Sequence, residues 1–164
     1  MGMDYYFGKR RTLAELEEIV AALKENGKTV VLANGCFDIL HVGHVRYLEA
    51  ARALGHYLVV AVNDDASVRK LKGPGRPVLG EDARAEIIAG LQSTDWVCIF
   101  SGYDVSSVIE RLKPHIHAKG TDYTEQTVPE RETVRSYGGR TVICGDPKSH
   151  SSKDVIKRIV NLPE

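Results

Sequence analysis

Five short apolar runs, each followed by a segment with helical periodicity, constrain the fold of this 164-residue chain more than any other feature. Such runs are typical of strands that are buried on both faces of a sheet. Their regular alternation with helices is typical of an open, doubly wound sheet, so an α/β fold with five parallel strands is predicted. The predicted strands are residues 30–33, 57–62, 96–100, 115–119 and 140–144.

Chain length and helix signals predict a single domain preceded by a short arm. A chain of this size is long enough for one well-buried α/β domain and short for two. Thr12 and Glu15 fit a capping box at the start of a first helix, so the domain is predicted to cover residues 12–164. Residues 1–11 are predicted to form a loose N-terminal arm, whose aromatic residues 5–7 can pack on the domain or on a second subunit.

Composition excludes several classes of partner. The chain has 22 Lys and Arg and 22 Asp and Glu residues, so no overall field favours nucleic acid or an anionic membrane surface. No apolar run approaches the length of a transmembrane helix, and the first residues lack the apolar core of a signal peptide. Cys36, Cys98 and Cys144 are odd in number and lie in or beside apolar segments. These features predict a cytoplasmic protein with reduced cysteines and neither a nucleic-acid nor a membrane partner.

The first predicted strand is followed by a glycine-bearing loop and a helix. Gly35 and Gly43 lie in this loop, which reads GCFDILHVGH, and Val45 and Leu48 begin a helical apolar pattern. Unpaired amides and the helix dipole converge at a helix start that follows such a loop. The stretch is therefore predicted to bind phosphate.

His41 and His44 flank Gly43 at the predicted helix start. At this spacing both imidazoles can point at one spot above the amides and donate hydrogen bonds to a phosphate oxygen. The alternatives are a zinc site that also uses Cys36, ordinary polar residues at a half-buried helix start, and glycines that serve only a tight turn. The chain lacks the HExxH pattern and paired-cysteine motifs, so phosphate chemistry is the preferred interpretation.

The segments GCFD and HVGH together resemble the signature of the HxGH nucleotidyltransferase superfamily. The fuller string NGCFDILHVGH resembles its heptose-phosphate adenylyltransferase branch, which occurs alone or fused to a sugar kinase. The resemblance runs from about Leu13 to Ile159. It implies a Rossmann-like sheet with strand order 3-2-1-4-5, in which GCFDILHVGH and the later segment KGTDY face each other across the ligand crevice.

The resemblance also implies roles for individual residues. His41 and His44 stabilise the α-phosphate and the charge that develops on it. Lys72 and Arg76 match a mobile basic loop, here Arg69–Pro77, that neutralises triphosphate and acceptor charge. The residues implied in nucleotide binding are Gly35, Cys36, Phe37, Gly43, Lys119, Gly120, Asp122, Ser151 and Ser152.

A purely structural role is the alternative to ligand binding at four positions, Ser151, Ser152, Asp122 and Asp64. Ser151 and Ser152 resemble the pair that binds the β- and γ-phosphates at the last helix, although capping alone accounts for one of them. Asp122 either accepts a hydrogen bond from the ribose or forms an Asx turn. Asp64, proposed with Asp38 as an acceptor-binding residue, has the same alternative of a turn.

The implied reaction is transfer of the adenylyl group of ATP to a heptose 1-phosphate, with release of pyrophosphate. Mg²⁺ is expected as the cofactor, held by triphosphate oxygens and water, and no metal site made by the protein is predicted. A cytidylyltransferase acting on glycerol phosphate or a similar alcohol and a non-catalytic nucleotide-binding module are the alternatives. A homo-oligomer, most simply a dimer, is the expected assembly.

Overall fold

The fold is that of a computed structural model, which describes residues 6–163. Five parallel strands form one sheet in the order β3-β2-β1-β4-β5. Both the predicted Rossmann-like doubly wound sheet and the strand order implied by the resemblance are confirmed. The strands are β1 (Val30–Gly35), β2 (Tyr57–Asn63), β3 (Trp96–Phe100), β4 (Ile116–Lys119) and β5 (Arg140–Ile143).

Within residues 6–163 seven helices precede, connect or follow these strands. They are α1 (Leu13–Glu25), α2 (Val42–Arg52), α3 (Asp65–Lys72), α4 (Glu81–Ala89), α5 (Ser106–Leu112), α6 (Arg131–Ser136) and α7 (Ser152–Val160). The capping box predicted at the start of α1 is present, since Thr12 Oγ1 accepts from the Glu15 amide at 3.2 Å and Glu15 accepts from the Thr12 amide at 2.7 Å. None of the helices in this range combines the length and apolar character needed to cross a membrane.

The core has two layers, one on each face of the sheet. Side chains of β1 alternate between them: Val31 and Ala33 pack with α2 and α4, whereas Val30 and Leu32 pack with α1, α5 and α6. All four are buried almost completely, which explains why β1 reads as a continuous apolar run. Burial on both faces fixes the register of β1 and therefore the position of the loop that follows it.

The described part of the predicted arm contacts the domain. Arg10 forms an isolated bridge with Val97 of β3, and the Arg11 amide donates to the Val97 carbonyl at 3.0 Å. Tyr6 donates through its hydroxyl to the Asp82 carbonyl at 3.0 Å. Residues 6–11 therefore lie against the β3 edge of the sheet, in contrast to the expected loose arm, while Tyr5 lies outside the described residues.

The expectation of a loop over the whole of Arg69–Pro77 is wrong for its first four residues, which form the last turns of α3. Asp64 caps this helix by accepting from the Ser67 amide at 2.8 Å, and Val68 is fully buried. The basic side chains lie near the helix C-terminus, where positive charge is stabilised by the helix dipole. Only residues 73–77 of the segment lie outside a helix.

Candidate active site

A cavity of about 990 Å³ opens at the carboxyl ends of the strands, where β1 and β4 lie side by side. This is the topological switch point of the sheet, at which ligands bind in open α/β folds. The cavity brings together all but one of the predicted site residues. Those that line it are Gly35, Cys36, Phe37, Asp38, His41, Gly43, His44, Lys72, Arg76, Lys119, Gly120, Asp122, Ser151 and Ser152.

The two histidines form a reciprocal pair at the start of α2. His41 is the N-cap residue, and its Nδ1 accepts from the Gly43 amide at 3.1 Å. His44 Nδ1 accepts in turn from the His41 amide at 3.2 Å, and the ring centroids are 3.8 Å apart. A neutral imidazole whose Nδ1 accepts a hydrogen bond carries its proton on Nε2. Each ring therefore retains one Nε2–H donor, while the Gly43 amide, expected to be free for phosphate, is already occupied.

Both histidines are neutral near pH 7. Burial lowers the pKa of His44 to about 4, with a smaller contribution from His41. Burial also lowers the pKa of His41, and positive charge on His150 and Lys148 acts in the same direction. Near pH 7 the two histidines can therefore donate hydrogen bonds, but they do not serve as charged proton donors.

Two glycines permit close approach around the histidines. A Cβ added to Gly43 would lie 2.9 Å from His41 Cε1, closer than side-chain carbons normally approach. A Cβ added to Gly35 would lie 3.2 Å from the Phe37 ring, which meets His44 edge-on with centroids 5.4 Å apart. Phe37 itself has a left-handed backbone with φ of 49°, a conformation that is uncommon without glycine. The loop is thus shaped tightly around the two imidazoles.

The carboxylate of Asp38, predicted to bind the acceptor, is held by groups of the protein itself. Its side chain is fully buried and accepts from Arg76 Nε at 2.7 Å and from the amides of Val78 and Leu79 at 2.8 and 3.0 Å. Burial raises the pKa of Asp38, but the bonds from the two amides and from Arg76 outweigh burial, and the pKa is lowered. Asp38 therefore anchors the segment after α3 and orients Arg76.

Arg76 and Lys72 both line the cavity. Arg76 binds Asp38 through Nε, and no protein partner within residues 6–163 contacts its two terminal nitrogens, which remain available to an anion. Lys72 is the exposed last residue of α3 and forms no ion pair within that same range. The two cations are therefore held in different ways, one by a helix and one by a buried carboxylate.

Asp64 is the one predicted residue that lies outside the cavity. Its carboxylate caps α3 through the Ser67 amide and accepts from the Ser101 hydroxyl. Since these bonds account for both carboxylate oxygens, the acceptor-binding expectation is not supported. The alternative of a local structural role is the one observed.

The start of α7 also lines the cavity. Ser151 is its N-cap and accepts from the Asp154 amide at 3.1 Å, as expected of a capping serine. The Ser152 hydroxyl donates to the carbonyls of Asp38 and Ile39, which joins α7 to the histidine loop. Both hydroxyls are engaged, so it is the backbone at this nine-residue helix start that is available to a phosphate.

The loop after β4 forms the floor of the cavity. Lys119 lies over the ring of Tyr123, with Nζ 4.6 Å from the ring centroid, and 3.8 Å from Glu130 Oε2. Asp122 is exposed and pairs with Lys148 at 3.0 Å. Gly120 lines the cavity, and a Cβ there would meet no atom within 4 Å.

Comparison with known proteins identifies the family. The family model described as cytidylyltransferase-like matches residues 32–160, which include the strand, both histidines and the start of α7. The chain belongs to the cytidylyltransferase-like family. The family resemblance carried by GCFD and HVGH is thereby confirmed.

Relatives of this cytidylyltransferase-like chain agree with that assignment. It is 44% identical to the bifunctional protein HldE of Syntrophotalea carbinolica over 97% of its own length and 32% of the relative's. It is 45% identical to the bifunctional protein HldE of Geobacter sulfurreducens, over 93% of its own length and 31% of the relative's. The chain thus spans about a third of these curated relatives.

Solved structures extend the comparison to the fold. A lipopolysaccharide core biosynthesis protein from Thermoplasma volcanium is 31% identical, with a TM-score of 0.60 over 71% of this chain and 94% of that one. Pantoate-beta-alanine ligase from Francisella tularensis shares the fold at 13% identity, with a TM-score of 0.63 over 90% of this chain and 72% of that one.

Several residues that line the cavity of this family member lie outside the motifs identified in the sequence. His150 lies with its ring centroid 6.2 Å from that of His41, and Arg46 pairs with Asp146 at 2.8 Å. Glu130 is buried beside Lys119, and no motif in the sequence singled it out. These residues come from loops far apart in sequence, and a local motif does not reveal such contacts.

Arg84 supports the cavity from below and was read only as part of an amphipathic helix. It is fully buried and donates to the carbonyls of Cys36 at 2.6 Å and Asn63 at 2.7 Å. It also donates to Leu79 O at 2.9 Å and Asp65 Oδ1 at 2.8 Å. A single guanidinium therefore ties together the ends of β1 and β2, the start of α3 and the segment that carries Arg76.

The structure does not support the alternative of a zinc site at the two histidines. Within the part of the chain that the structure describes, no group of three or more His, Cys, Asp or Glu side chains is arranged to hold a metal ion. In the histidine pair, both Nδ1 atoms already accept backbone amides. The geometry favours hydrogen-bond donation by Nε2 over metal ligation.

Proposed function

We propose that the chain transfers the adenylyl group of ATP to a heptose 1-phosphate. An oxygen of the sugar phosphate attacks the α-phosphorus and forms the new P–O bond. The bond from the α-phosphorus to the oxygen that bridges it to the β-phosphate breaks, and its electron pair leaves with pyrophosphate. The acceptor oxygen is already ionised near neutral pH, so neither a nucleophilic side chain nor a general base is needed.

The observation that carries this proposal is the reciprocal histidine pair. Two neutral imidazoles with their Nδ1 atoms occupied each present one Nε2–H donor at a helix start that lines the cavity. Donors fixed before the reaction stabilise charge that grows on the non-bridging oxygens of the α-phosphate. Fixed donors of this kind are worth more for catalysis than mobile ones, because no reorganisation accompanies the reaction.

The remaining charges of the cavity come from several segments. Lys72 and Arg76 line it, as do the start of α7, Lys148 and His150. A triphosphate and a sugar phosphate together bring several negative charges, and both cationic side chains and helix amides stabilise such charge. We assign the start of α7 to the β- and γ-phosphates, and Lys72 and Arg76 to the triphosphate and the acceptor phosphate.

Mg²⁺ is the expected companion of ATP. Three carboxylates of the cavity are held in ion pairs: Asp38 binds Arg76, Asp122 binds Lys148, and Asp146 binds Arg46. This arrangement fits an ion whose ligands are mainly triphosphate oxygens and water, as is usual for Mg²⁺ in nucleotide sites. When bound, the ion neutralises triphosphate charge and assists departure of pyrophosphate.

The choice of ATP and a heptose phosphate is supported by similarity rather than by a contact. The curated relatives bear the name bifunctional protein HldE, and a solved relative is a lipopolysaccharide core biosynthesis protein. Both fit the heptose branch that NGCFDILHVGH resembles. The family description favours a second candidate, a cytidylyltransferase acting on a small phosphorylated alcohol such as glycerol phosphate.

Turnover assays with paired substrates separate these candidates. Purified protein with Mg²⁺ is incubated with ATP or CTP and with a heptose 1-phosphate or glycerol phosphate, and pyrophosphate release is measured for each pair. We expect release with ATP and the heptose phosphate. Release only with CTP and glycerol phosphate would replace the substrates but keep the chemistry, whereas no release from any pair would leave a nucleotide-binding module.

The proposal includes a cytoplasmic location and a homo-oligomer. ATP is a cytoplasmic substrate, and all three cysteines are free thiols, as expected in a reducing compartment. A dimer stays a prediction, which sedimentation of the purified chain would test.

A further inference from the structure

Lys119 and Glu130 form a buried ion pair in the cavity, apart from the phosphate-binding groups. Lys119 ends β4, and Glu130 directly precedes α6. Both line the cavity, yet they are only 7% and 2% exposed. A buried pair of charges is costly unless its members are fully hydrogen-bonded, so its bonding shows whether it serves packing alone.

Lys119 and Glu130 have hydrogen-bonding atoms without a partner within residues 6–163. Glu130 Oε1 accepts from the Val105 amide at 3.2 Å, whereas Oε2 accepts no hydrogen bond from any residue in the range 6–163. Lys119 Nζ lies 3.8 Å from Oε2, which is longer than a hydrogen bond. An ammonium group has three donors, and the other recorded contact of Nζ is with the Tyr123 ring at 4.6 Å. One acceptor and at least one donor therefore stand side by side without partners.

The chemistry of this pair selects a particular kind of ligand. A phosphate would be repelled by Glu130, and a cation by Lys119. A neutral group that both donates and accepts hydrogen bonds satisfies both members at once. Two neighbouring hydroxyls of a sugar provide this combination, with one donor for the carboxylate and one acceptor for the ammonium. Hydrogen bonds to charged groups are the strong ones, and they discriminate well against analogues that lack the hydroxyl.

We propose that Lys119 and Glu130 form a subsite for a pair of adjacent sugar hydroxyls, one donating to Glu130 Oε2 and the other accepting from Lys119 Nζ. This inference rests on the proposed function for the identity of the sugar, because ATP and a sugar phosphate both carry adjacent hydroxyls. It adds Glu130 to the site and specifies hydroxyl recognition as the role of Lys119.

The test is Glu130→Gln, which keeps an oxygen that can accept from the Val105 amide but removes the charge. Glu132→Gln is the matched control, since Glu132 lies on the adjoining helix with its side chain 71% exposed. Calorimetry measures the binding of ATP and 2′,3′-dideoxy-ATP. It also measures binding of the heptose 1-phosphate and a deoxy analogue in the presence of a non-hydrolysable ATP analogue. Lys119→Met serves as a second variant if Glu130→Gln does not fold.

Two results support the subsite and identify its source. If it binds the ribose, Glu130→Gln lowers affinity for ATP roughly tenfold or more and barely affects 2′,3′-dideoxy-ATP, which lacks both hydroxyls. If it binds the acceptor, affinity for the heptose phosphate falls by a similar factor, its deoxy analogue is barely affected, and ATP binding is unchanged. In both cases Glu132→Gln behaves as the wild type.

Two other results overturn the subsite. One is unchanged affinity of a folded Glu130→Gln protein for both substrates. The other is an equal loss for the natural substrates and their deoxy analogues, which would indicate a structural role. Because binding is measured without turnover, absence of pyrophosphate release in the wild type would refute the proposed reaction and leave the nucleotide arm of this test intact. A wild type that binds none of these compounds would contradict both proposals.

Discussion

His44 Nδ1 accepts from the backbone amide of His41 at 3.2 Å, and the His44 amide donates to the His41 carbonyl at 3.0 Å, so each histidine helps to hold the other at the start of α2. His41 Nδ1 completes the arrangement by accepting the Gly43 amide. The same bonds that cap the helix fix both imidazoles in the tautomer with the proton on Nε2. Capping of α2 and positioning of the two Nε2–H donors therefore depend on the same hydrogen bonds.

Replacement of either histidine should lower turnover more than nucleotide affinity. Loss of one donor to the developing charge typically costs about 2.7–4 kcal/mol in the barrier, or roughly 10²–10³-fold in kcat. His44→Ala should show this loss with a nucleotide Kd within a few-fold of the wild type. His41→Asn is the better variant at the first position, because asparagine retains N-cap ability and limits the loss of stability. Unchanged kcat in either folded variant would remove that histidine from the mechanism.

Gly43→Ala should displace His41 without removing it. The added Cβ would lie 2.9 Å from His41 Cε1, so the ring must move. Misplacement of a catalytic group by about 1 Å can cost on the order of 10²-fold in rate, so kcat should fall by roughly tenfold to a hundredfold. Gly120→Ala is the steric control, since its Cβ meets no atom within 4 Å, and its melting temperature should equal that of the wild type. Wild-type kcat in Gly43→Ala would show that the ring position is not critical.

Arg84→Met should destabilise the fold strongly. The substitution removes the hydrogen-bond donor of two carbonyls, those of Cys36 and Asn63, and leaves Asp65 without its ion-pair partner. A buried polar group that loses its hydrogen-bond partner costs about 1–3 kcal/mol, which urea unfolding would measure as a lower free energy of unfolding. Arg135→Met, at a side chain that is 68% exposed, should change it by no more than about 0.5 kcal/mol. Similar values for the two variants would contradict the supporting role of Arg84.

Stability should decrease as the pH falls below about 6.5, the pKa of an unfolded histidine. Burial lowers the pKa of His44 to about 4 and that of His117 to about 3 in the folded chain. The unfolded chain therefore binds more protons in this range, so unfolding is favoured as the pH drops and stability is fully regained above 6.5. Urea unfolding between pH 7.5 and 4.5 would show the slope, and His117→Gln should reduce it. A flat profile would mean that these imidazoles titrate normally in the folded state.

The sequence was most informative where a signal is local. Apolar runs located all five strands, and Thr12 with Glu15 located the first helix cap. The helix α3 was missed because four basic residues beside Gly73 resemble a solvated loop, while its cap at Asp64 was read as a possible acceptor contact. Asp38 was misread because its partners lie about 40 residues away, and nothing in its own motif indicates them. The same reason hid Glu130, whose contacts with Val105 and Lys119 form only when β4 and α6 come together.

The strand order, unlike the strands themselves, has no local signal in the sequence. Apolar runs do not reveal which strands are neighbours, and the order 3-2-1-4-5 followed only from the family resemblance. The structure confirms this order through the pairing of β1 with both β2 and β4. That pairing brings the histidine loop next to Lys119, and the cavity depends on it.

The most direct measurement follows labelled phosphorus from ATP into products. The protein is incubated with Mg²⁺, a heptose 1-phosphate and ATP labelled at either the α- or the γ-phosphorus, and the products are separated. Attack at the α-phosphorus predicts that the α label appears in a nucleotide-linked sugar and the γ label in pyrophosphate, with both products lost in His44→Ala. Appearance of the γ label in a sugar phosphate, with release of ADP, would mean phosphoryl transfer and would contradict adenylyl transfer at the histidine pair.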